Sequence, residues 1–223
     1  MAFIAKNLIS ETVTGVELDD NGEKALSMMN IFQVNHLPVL SDGEFVNIIN
    51  EDDILTNGFD KKIRDFDLTE NKIHVSENCH FFNIIDRLAK NNLSLIPVLN
   101  NDGEYLGSIT QQDIFQYFGD IFTFEFPGSI VEIEIPIKDY SLSNISHIVE
   151  LENTSIIGLL LNDNDKNDEV MDVILKLNKT NTNSVISSFE RHGYRVKSSF
   201  SGNNFSVDVL KERYEALMHY LNV

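Results

Sequence analysis

The chain has 223 residues, 42% of them hydrophobic, which is enough for one large or two small cores. Its 17 lysines and arginines stand against 35 aspartates and glutamates, and the formal charge of −18 makes nucleic acid and anionic membranes poor partners. The single cysteine, Cys79, excludes an internal disulfide bond and fits a reducing compartment. The start of the chain lacks the apolar core of a signal peptide, and the longest apolar run, residues 156–161, is far shorter than the roughly 20 residues that cross a bilayer. We therefore expect a cytoplasmic protein.

The first half of the chain contains an internal repeat. The segment NHLPVLSDGEFVNIINEDDIL aligns with SLIPVLNNDGEYLGSITQQDIF, so that Pro38 matches Pro97 and Asp53 matches Asp113. Each segment predicts two strands in a hairpin followed by a short helix, and residues 73–75 predict a leading strand in the second copy. An apolar stripe at helical spacing predicts a helix before each segment. The stripes are Ala25, Met28, Met29 and Phe32 in the first copy, and Phe81, Ile84, Ile85, Leu88 and Ala89 in the second.

Polar residues predict where three of these helices begin. Asp20 with Glu23 predicts a capping box before the first helix, and Ser76 predicts an N-cap in the second copy. In the stretch GSITQQD, Thr110 with Asp113 predicts a capping box for a helix at 111–118.

The repeat, the element order and the pattern LPV…G…G-x-x-T-x-x-D together resemble the CBS domain, and the two copies resemble a CBS pair. We expect the pair to occupy residues 1–124, with units at about 1–60 and 61–124. The resemblance implies a ligand-sensing module in which two units pack face to face. The clefts between such units often take adenine nucleotides or S-adenosylmethionine, so AMP, ADP, ATP and S-adenosylmethionine are the ligands that the resemblance implies.

The resemblance gives GSITQQD a second interpretation besides the helix cap. It implies that Asp113 receives the ribose hydroxyls and that Thr110 assists on the ribose or phosphate side. The chemistry agrees, because a carboxylate accepts both hydroxyls of a vicinal diol in charge-assisted hydrogen bonds. Gly107 would leave room for the ligand. Val75, Ile96 and Pro97 are further candidates for the same nucleotide site.

The first copy departs from this pattern. Asn47 replaces the glycine and Asn50 replaces the threonine, while Glu51 and Asp52 add negative charge beside Asp53. These acids suit a helix start but repel a phosphate. We expect this half-site to be empty or degenerate. His36, Asn50 and Asp53 are its weaker candidates.

The second half begins after the break at Pro127 and Gly128, and we assign it residues 129–223. Its pattern predicts strand, helix, strand, strand, helix, strand, which is the ferredoxin-like order and makes the whole chain an α+β protein. The run SIIGLLL predicts a buried strand, and Gly193 predicts the end of the second helix. A last helix is predicted after Gly202, with an apolar seam that serves either packing on the sheet or a dimer contact. The seam consists of Val207, Leu210, Tyr214, Leu217 and Leu221.

The element order and the segment SLSNISHIV resemble the ACT domain, a small ligand-binding and pairing fold. A CBS pair followed by an ACT-like domain also resembles CBS–ACT proteins of the acetoin-utilisation type. The family's amino-acid site usually needs a glycine just before the first helix, where this chain has Tyr140. Pairing without a ligand is therefore the expected use of this domain, and we expect a homodimer.

The sequence contains no pattern typical of an enzyme or a metal site. Six scattered histidines and one cysteine form no zinc motif, and there is no P-loop, G-x-S-x-G or G-x-G-x-x-G. Two classes of function stay open. One is a non-enzymatic regulator whose CBS pair senses an adenine nucleotide or a related adenosyl ligand, mainly at the second unit. The other is a ligand-free structural or interaction protein that uses these folds for homo-oligomerisation and partner binding.

Overall fold

The structure is a computed structural model that describes residues 3–10, 12–68, 72–121, 126–163 and 169–201. Its contacts divide the chain into two compact units, Met1–Ile121 and Phe122–Val223. The helix predicted after Gly202, with its seam from Val207 to Leu221, lies outside the described residues. Within the described ranges, no helix has both the length and the apolar character needed to span a membrane.

The first unit contains two copies of one arrangement, as the repeat predicts. In each copy a short strand pairs in parallel with the first strand of a hairpin, and one helix lies before the hairpin and one after it. The first copy consists of β1 (Val16–Glu17), α1 (Gly22–Phe32), β2 (His36–Ser41), β3 (Glu44–Asn50) and α2 (Glu51–Asn57). The second consists of β4 (Val75–Ser76), α3 (Phe81–Lys90), β5 (Leu95–Leu99), β6 (Tyr105–Thr110) and α4 (Gln111–Ile121).

The segment before each copy binds to the other copy. A single 3₁₀ turn forms at Ala5–Asn7, before the first copy, and another at Ile63–Asp65, before the second. The amide of Ala5 donates to the carbonyl of Cys79 over 2.9 Å, and the amide of Ile63 donates to the carbonyl of Asp20 over 2.9 Å. We call residues 3–10 and 61–68 the leader segments. Each leader crosses to the copy that it does not precede.

The leader segments also contribute to the hydrophobic cores. Ala5 and Leu8 are buried with Phe81, Ile84 and the strands of the second copy. Ile63 and Phe66 are buried with the strands and helices of the first copy. Neither core is complete without residues that precede the opposite copy.

Two of the predicted helix caps are wrong. Helix α1 begins after Asn21, whose side chain accepts a hydrogen bond from the amide of Lys24, while the Asp20 carboxylate accepts from the amide of Glu17. Helix α3 begins after His80, whose Nδ1 accepts from the amide of Phe82. Ser76 belongs to β4 instead. Asp20 lies one residue before the true N-cap, and Ser76 lies four residues before His80, with a turn between them.

The second unit has its elements in the predicted order. They are β7 (Ser129–Pro136), α5 (Leu142–Leu151), β8 (Ile156–Asp163), β9 (Val170–Leu177), α6 (Asn183–Arg191) and β10 (Arg195–Ser201). The strands form one antiparallel sheet in the order β10-β7-β9-β8. Ile145, Val149 and Phe189 of the helices share a buried core with alternate residues of β7 and β9. Helix α6 ends shortly before Gly193, as predicted. The φ of +82° at Gly193 is the left-handed conformation that a glycine commonly adopts after a helix.

The strand predicted at residues 156–161 is present, but the prediction that it is buried is wrong. These residues belong to β8, which pairs with β9 on one side and is the last strand of the sheet. Leu160 and Leu161 are 48% and 47% exposed. An apolar run alone does not distinguish a central strand from an edge strand.

The packing of each leader segment on the opposite copy predicts a large loss of stability when a buried leader residue is truncated. Ile63→Ala should lower the free energy of unfolding by about 2–5 kcal/mol, because the Ile63 side chain is completely buried in the first copy's core. The matched control is Ile31→Ala, at a position that is 70% exposed, which should change it by less than about 0.5 kcal/mol. Urea unfolding of both variants measures the difference. Equal changes in the free energy of unfolding of the two variants would contradict the packing of this leader segment in the first copy's core.

Candidate functional site

Three of the sequence candidates lie inside the core of the second copy. Val75 pairs with Val98, Ile96 pairs with Ile109, and Pro97 lies opposite Ser108 in the same sheet. All three side chains are buried. They pack within the sheet of the second copy.

Thr110 and Asp113 form the capping box that GSITQQD predicts. The amide and the hydroxyl of Thr110 both donate to Oδ2 of Asp113, over 2.8 and 2.6 Å. The amide of Asp113 donates to Oγ1 of Thr110 over 3.0 Å. Thr110 is 6% exposed. One carboxylate oxygen of Asp113 is thus already committed to the helix start.

Gly107 faces a leader segment. Its φ is +143°, and a side chain added there would overlap the Ile9 side chain. The neighbouring amide of Ser10 donates to the carbonyl of Ser108 over 2.9 Å. The glycine therefore permits close approach of the leader segment, whereas the sequence alone assigned that space to a ligand.

A cleft of about 550 Å³ lies at the corresponding place in the first copy. Its volume falls within the range of about 300–1,000 Å³ that is usual for small-molecule sites. The cleft is lined by His36, Asn47, Ile48, Asn50, Asp53, Asp67, Ile73, Asn91 and Leu93. Asn91 and Leu93 follow helix α3, so both copies contribute to the walls. The three weaker candidates, His36, Asn50 and Asp53, are therefore brought together in one cleft.

Asn47 replaces the glycine of the second copy and contacts the other leader segment. Its side-chain amide donates to the carbonyl of Leu68 over 2.7 Å, and its carbonyl oxygen accepts from the amide of Ile48. In both copies this position thus meets a leader, by close approach at Gly107 and by an amide hydrogen bond at Asn47.

Asp53 presents an open carboxylate at the cleft. Asn50 caps helix α2, because its side-chain oxygen accepts from the amide of Asp53 over 2.7 Å. The Asp53 side chain is exposed, and its carboxylate has no hydrogen-bond partner in the part of the chain that the structure describes. It differs in this respect from Asp113, which is bonded to its own cap residue.

His36 links the first copy to the second. Its Nδ1 accepts from the amide of Ser94 over 3.2 Å and lies 3.0 Å from the Ser94 hydroxyl, which also accepts from the amide of Asn35. An accepting Nδ1 places the proton of the neutral ring on Nε2. Burial lowers the pKa of His36, while the carboxylates of Asp53 and Asp52 oppose this effect. Neutral imidazole therefore joins the two copies beside the cleft.

Sequence reasoning missed the residues that the second copy contributes. Asn91, Leu93 and Ser94 lie directly after an amphipathic helix, where a sequence pattern predicts only a turn. The repeat alignment did contain a signal, because Asn35 and Ser94 occupy the same place in their copies. Equivalent positions of two face-to-face repeats come into contact when they lie near the axis that relates the repeats.

The CBS domain family matches residues 5–59 and 63–120, just over half of the chain. The chain therefore belongs to the CBS-domain family, with two CBS domains in tandem. A curated relative, CBS domain-containing protein MJ0729 of Methanocaldococcus jannaschii, is 26% identical over 120 residues, which are 53% of this chain and 97% of that protein. Proteins with CBS pairs are typically regulatory, and they commonly bind adenosyl ligands.

Among solved structures, a CBS domain pair/ACT domain protein of Thermotoga maritima is 17% identical, with a TM-score of 0.47, covering 52% of this chain and 97% of that one. The CBS domain pair of protein MJ0100, solved with 5′-methylthioadenosine and S-adenosyl-L-methionine, is 24% identical, with a TM-score of 0.46 and coverage of 54% and 98%. CBSX2, solved with AMP, is 16% identical, with a TM-score of 0.47 and coverage of 54% and 98%.

The contact between Gly107 and Ile9 can be tested with paired alanines. Gly103→Ala should cost about 1 kcal/mol of stability, since its φ is +86° but nothing lies near the added methyl. Gly107→Ala should cost roughly 1–3 kcal/mol more, because the methyl also overlaps Ile9. Adding Ile9→Ala should recover part of the extra loss in urea unfolding. Simple additivity of the two substitutions would refute the contact.

The half-buried His36 also predicts a pH dependence. Because its pKa is lowered from the ordinary 6.5 on folding, the unfolded chain binds the proton more tightly. The contribution of His36 is present above about pH 6.5 and decreases as the pH falls through and below that value. His36→Asn, which keeps an acceptor for the Ser94 amide, should flatten the unfolding free energy between about pH 7.5 and 5.

A second variant provides the matching control for this titration. Asp52→Asn with Asp53→Asn removes the two carboxylates that oppose the shift, and should therefore steepen the same loss. Urea unfolding at several pH values compares the three proteins. If the free energy of unfolding depends on pH equally in the wild type and in His36→Asn, the pKa of His36 is not lowered on folding.

Proposed function

We propose that this protein is a non-enzymatic regulator whose CBS pair senses an adenosyl ligand in the cleft of the first copy. The observation that carries the proposal is the cleft itself, about 550 Å³ in volume, with the open Asp53 carboxylate in its wall. A carboxylate without another partner is suited to accept both hydroxyls of a ribose. Ile48, Ile73 and Leu93 supply apolar surface suited to a purine.

The position of the cleft supports a sensing role. One wall belongs to the first copy, and Asn91 and Leu93 come from the second. His36 lines the same cleft and bonds to Ser94 of the second copy. A ligand that contacts both copies favours one arrangement of the two, and this differential binding is the physical basis of a regulatory response.

The second copy offers another candidate site, at Gly107, Thr110 and Asp113. The proposal that an adenine nucleotide binds mainly there is supported by the complete pattern of glycine, hydroxyl and acid in one copy. The capping box places the Asp113 carboxylate where β6 ends and α4 begins. Binding there would require Thr110 and the ligand to share that carboxylate.

For the second unit we propose an ACT-like pairing domain in a homodimer. Its βαββαβ order and the sheet order β10-β7-β9-β8 support this assignment. The edge strand β8 exposes Leu160 and Leu161, and an exposed strand edge is a template for pairing with another chain. Tyr140, which packs against the core of this unit, supports pairing without an amino-acid ligand.

The alternative function is a ligand-free structural or interaction protein that uses both folds for assembly. The exposed edge of β8 and the capping box at Thr110 are the observations that favour it. The two functions differ in whether any adenosyl compound stabilises the protein, because a ligand of the native state raises stability by RT ln(1 + [L]/Kd).

Two matched variants test the proposed function. Asp53→Ala should weaken binding of the adenosyl ligand by on the order of 30- to 150-fold, from the roughly 2–3 kcal/mol of hydrogen bonds to a charged group. Asp113→Ala should retain the affinity and lose about 1 kcal/mol of stability through the helix cap. Calorimetry with adenosine, 5′-methylthioadenosine, S-adenosylmethionine, AMP, ADP and ATP measures affinity and melting temperature together.

The outcomes separate the sites and the functions. Loss of binding only in Asp113→Ala would place the ligand at the second copy and leave the sensing function in force. If no compound binds to or stabilises the wild type, the sensing function is wrong and the assembly function takes its place.

A further inference from the structure

We propose that the first-copy cleft selects adenosyl ligands that carry no phosphate and rejects nucleotides. This inference rests on the proposed function, because it assumes that the cleft takes an adenosyl group. It names the class of ligand as a neutral nucleoside or thionucleoside, or a cationic sulfonium such as S-adenosylmethionine.

The described residues that line the cleft include acids but no lysine or arginine. A second cavity of about 400 Å³ shares His36, Asn50 and Asn91 with the cleft, so the two adjoin, and we call them together the depression. Carboxylates that line the pair of cavities are Glu51, Asp52, Asp53 and Asp67. In the part of the chain that the structure describes, neither cavity is lined by a lysine or an arginine.

The basic residues that are nearby in sequence are engaged elsewhere or lie outside the lining. Lys62 and Arg64 form ion pairs with Asp19, and Lys90 pairs with Asp86. Arg87 donates to the carbonyl of His74. Lys72 precedes Ile73 in the chain but lines neither cavity.

A phosphate in this depression would meet repulsion from several sides. A phosphate monoester carries a charge of about −1.5 to −2 at neutral pH. Sites that bind phosphoryl groups usually supply arginine or lysine, and the described lining contains neither. His36 offers no compensating charge, because it is held neutral between Ser94 and the cleft. The net charge of −18 adds a repulsive background over the whole chain.

The second copy provides an internal comparison. In the repeat alignment, Gln111 and Gln112 stand where the first copy has Glu51 and Asp52. The two copies therefore differ at these positions by two negative charges with little change in size. Replacing Glu51 and Asp52 by glutamine gives the first copy the side chains that the second copy already carries.

The experiment measures four ligands on the full-length protein by calorimetry. The probes are 5′-methylthioadenosine, S-adenosylmethionine, AMP and ATP, all at one ionic strength. We expect 5′-methylthioadenosine to bind at least about tenfold more tightly than AMP, and ATP to bind more weakly still. Raising the salt concentration should improve the affinity for AMP and leave that for 5′-methylthioadenosine unchanged, because salt screens the repulsion.

Charge variants assign the selectivity to the lining. The double variant Glu51→Gln with Asp52→Gln should raise AMP affinity by about tenfold and leave 5′-methylthioadenosine unchanged. The control, Asp42→Asn with Glu44→Gln, removes the same formal charge from the exposed β2–β3 turn and should change neither affinity. Lys72→Gln should also leave the affinity for 5′-methylthioadenosine unchanged.

Each contrary result has a distinct meaning. AMP binding at least as tightly as 5′-methylthioadenosine, with both lost in Asp53→Ala, would overturn the selectivity and keep the sensing function. Binding that is lost only in Asp113→Ala would place the ligand in the second copy and overturn the inference. If none of the four probes binds, the proposed function itself fails, and the inference with it.

Discussion

The packing of each leader segment against the opposite CBS copy is the contact on which the first unit depends. Ala5 and Leu8 complete the core of the second copy, and Ile63 and Phe66 complete the core of the first. Burying a large apolar side chain contributes roughly 1.5–3 kcal/mol relative to leaving it exposed. Each exchanged segment therefore supplies a substantial part of the stability of a copy that it does not precede. The cleft follows from the same exchange, because the second leader passes the first copy's hairpin at Asn47 and Leu68.

One repeated arrangement thus produces two unequal half-sites. At Gly107 the missing side chain lets Ile9 approach the sheet, and at Asn47 an amide holds the leader through Leu68 instead. The acid at the end of each pattern also differs between the copies. The Asp113 carboxylate is hydrogen-bonded to Thr110, whereas the Asp53 carboxylate is exposed at the cleft. A polar His36 stands in the first copy where the second has the buried Leu95. The asymmetry therefore comes from a few side chains on equivalent backbones.

Sequence patterns predicted the repeat, the element order of both units and the capping box at Thr110, because each depends on residues close together in the chain. The N-caps at Asn21 and His80 were missed, since the choice among neighbouring polar residues depends on the turn that precedes each helix. The position of β8 at the sheet edge was missed because pairing order is a property of the sheet. The walls of the cleft were only partly predictable, because Asn91 and Leu93 approach His36 through folding of the whole pair. Burial of Ile96 and Pro97 follows from strand packing, which their position in the hairpin did not reveal.

The exchanged leaders also make the pair comparable to a symmetric dimer of single copies. A single CBS copy that carried its own leader would have an unfilled gap in its core, and its leader would have no surface to bury. Two identical copies would complete each other if each inserted its leader into the other, around a twofold axis. The present chain has the leader contacts of such a dimer within a single covalent chain. Covalent joining allows the two halves to carry different residues at equivalent positions, as Asn47 and Gly107 do here.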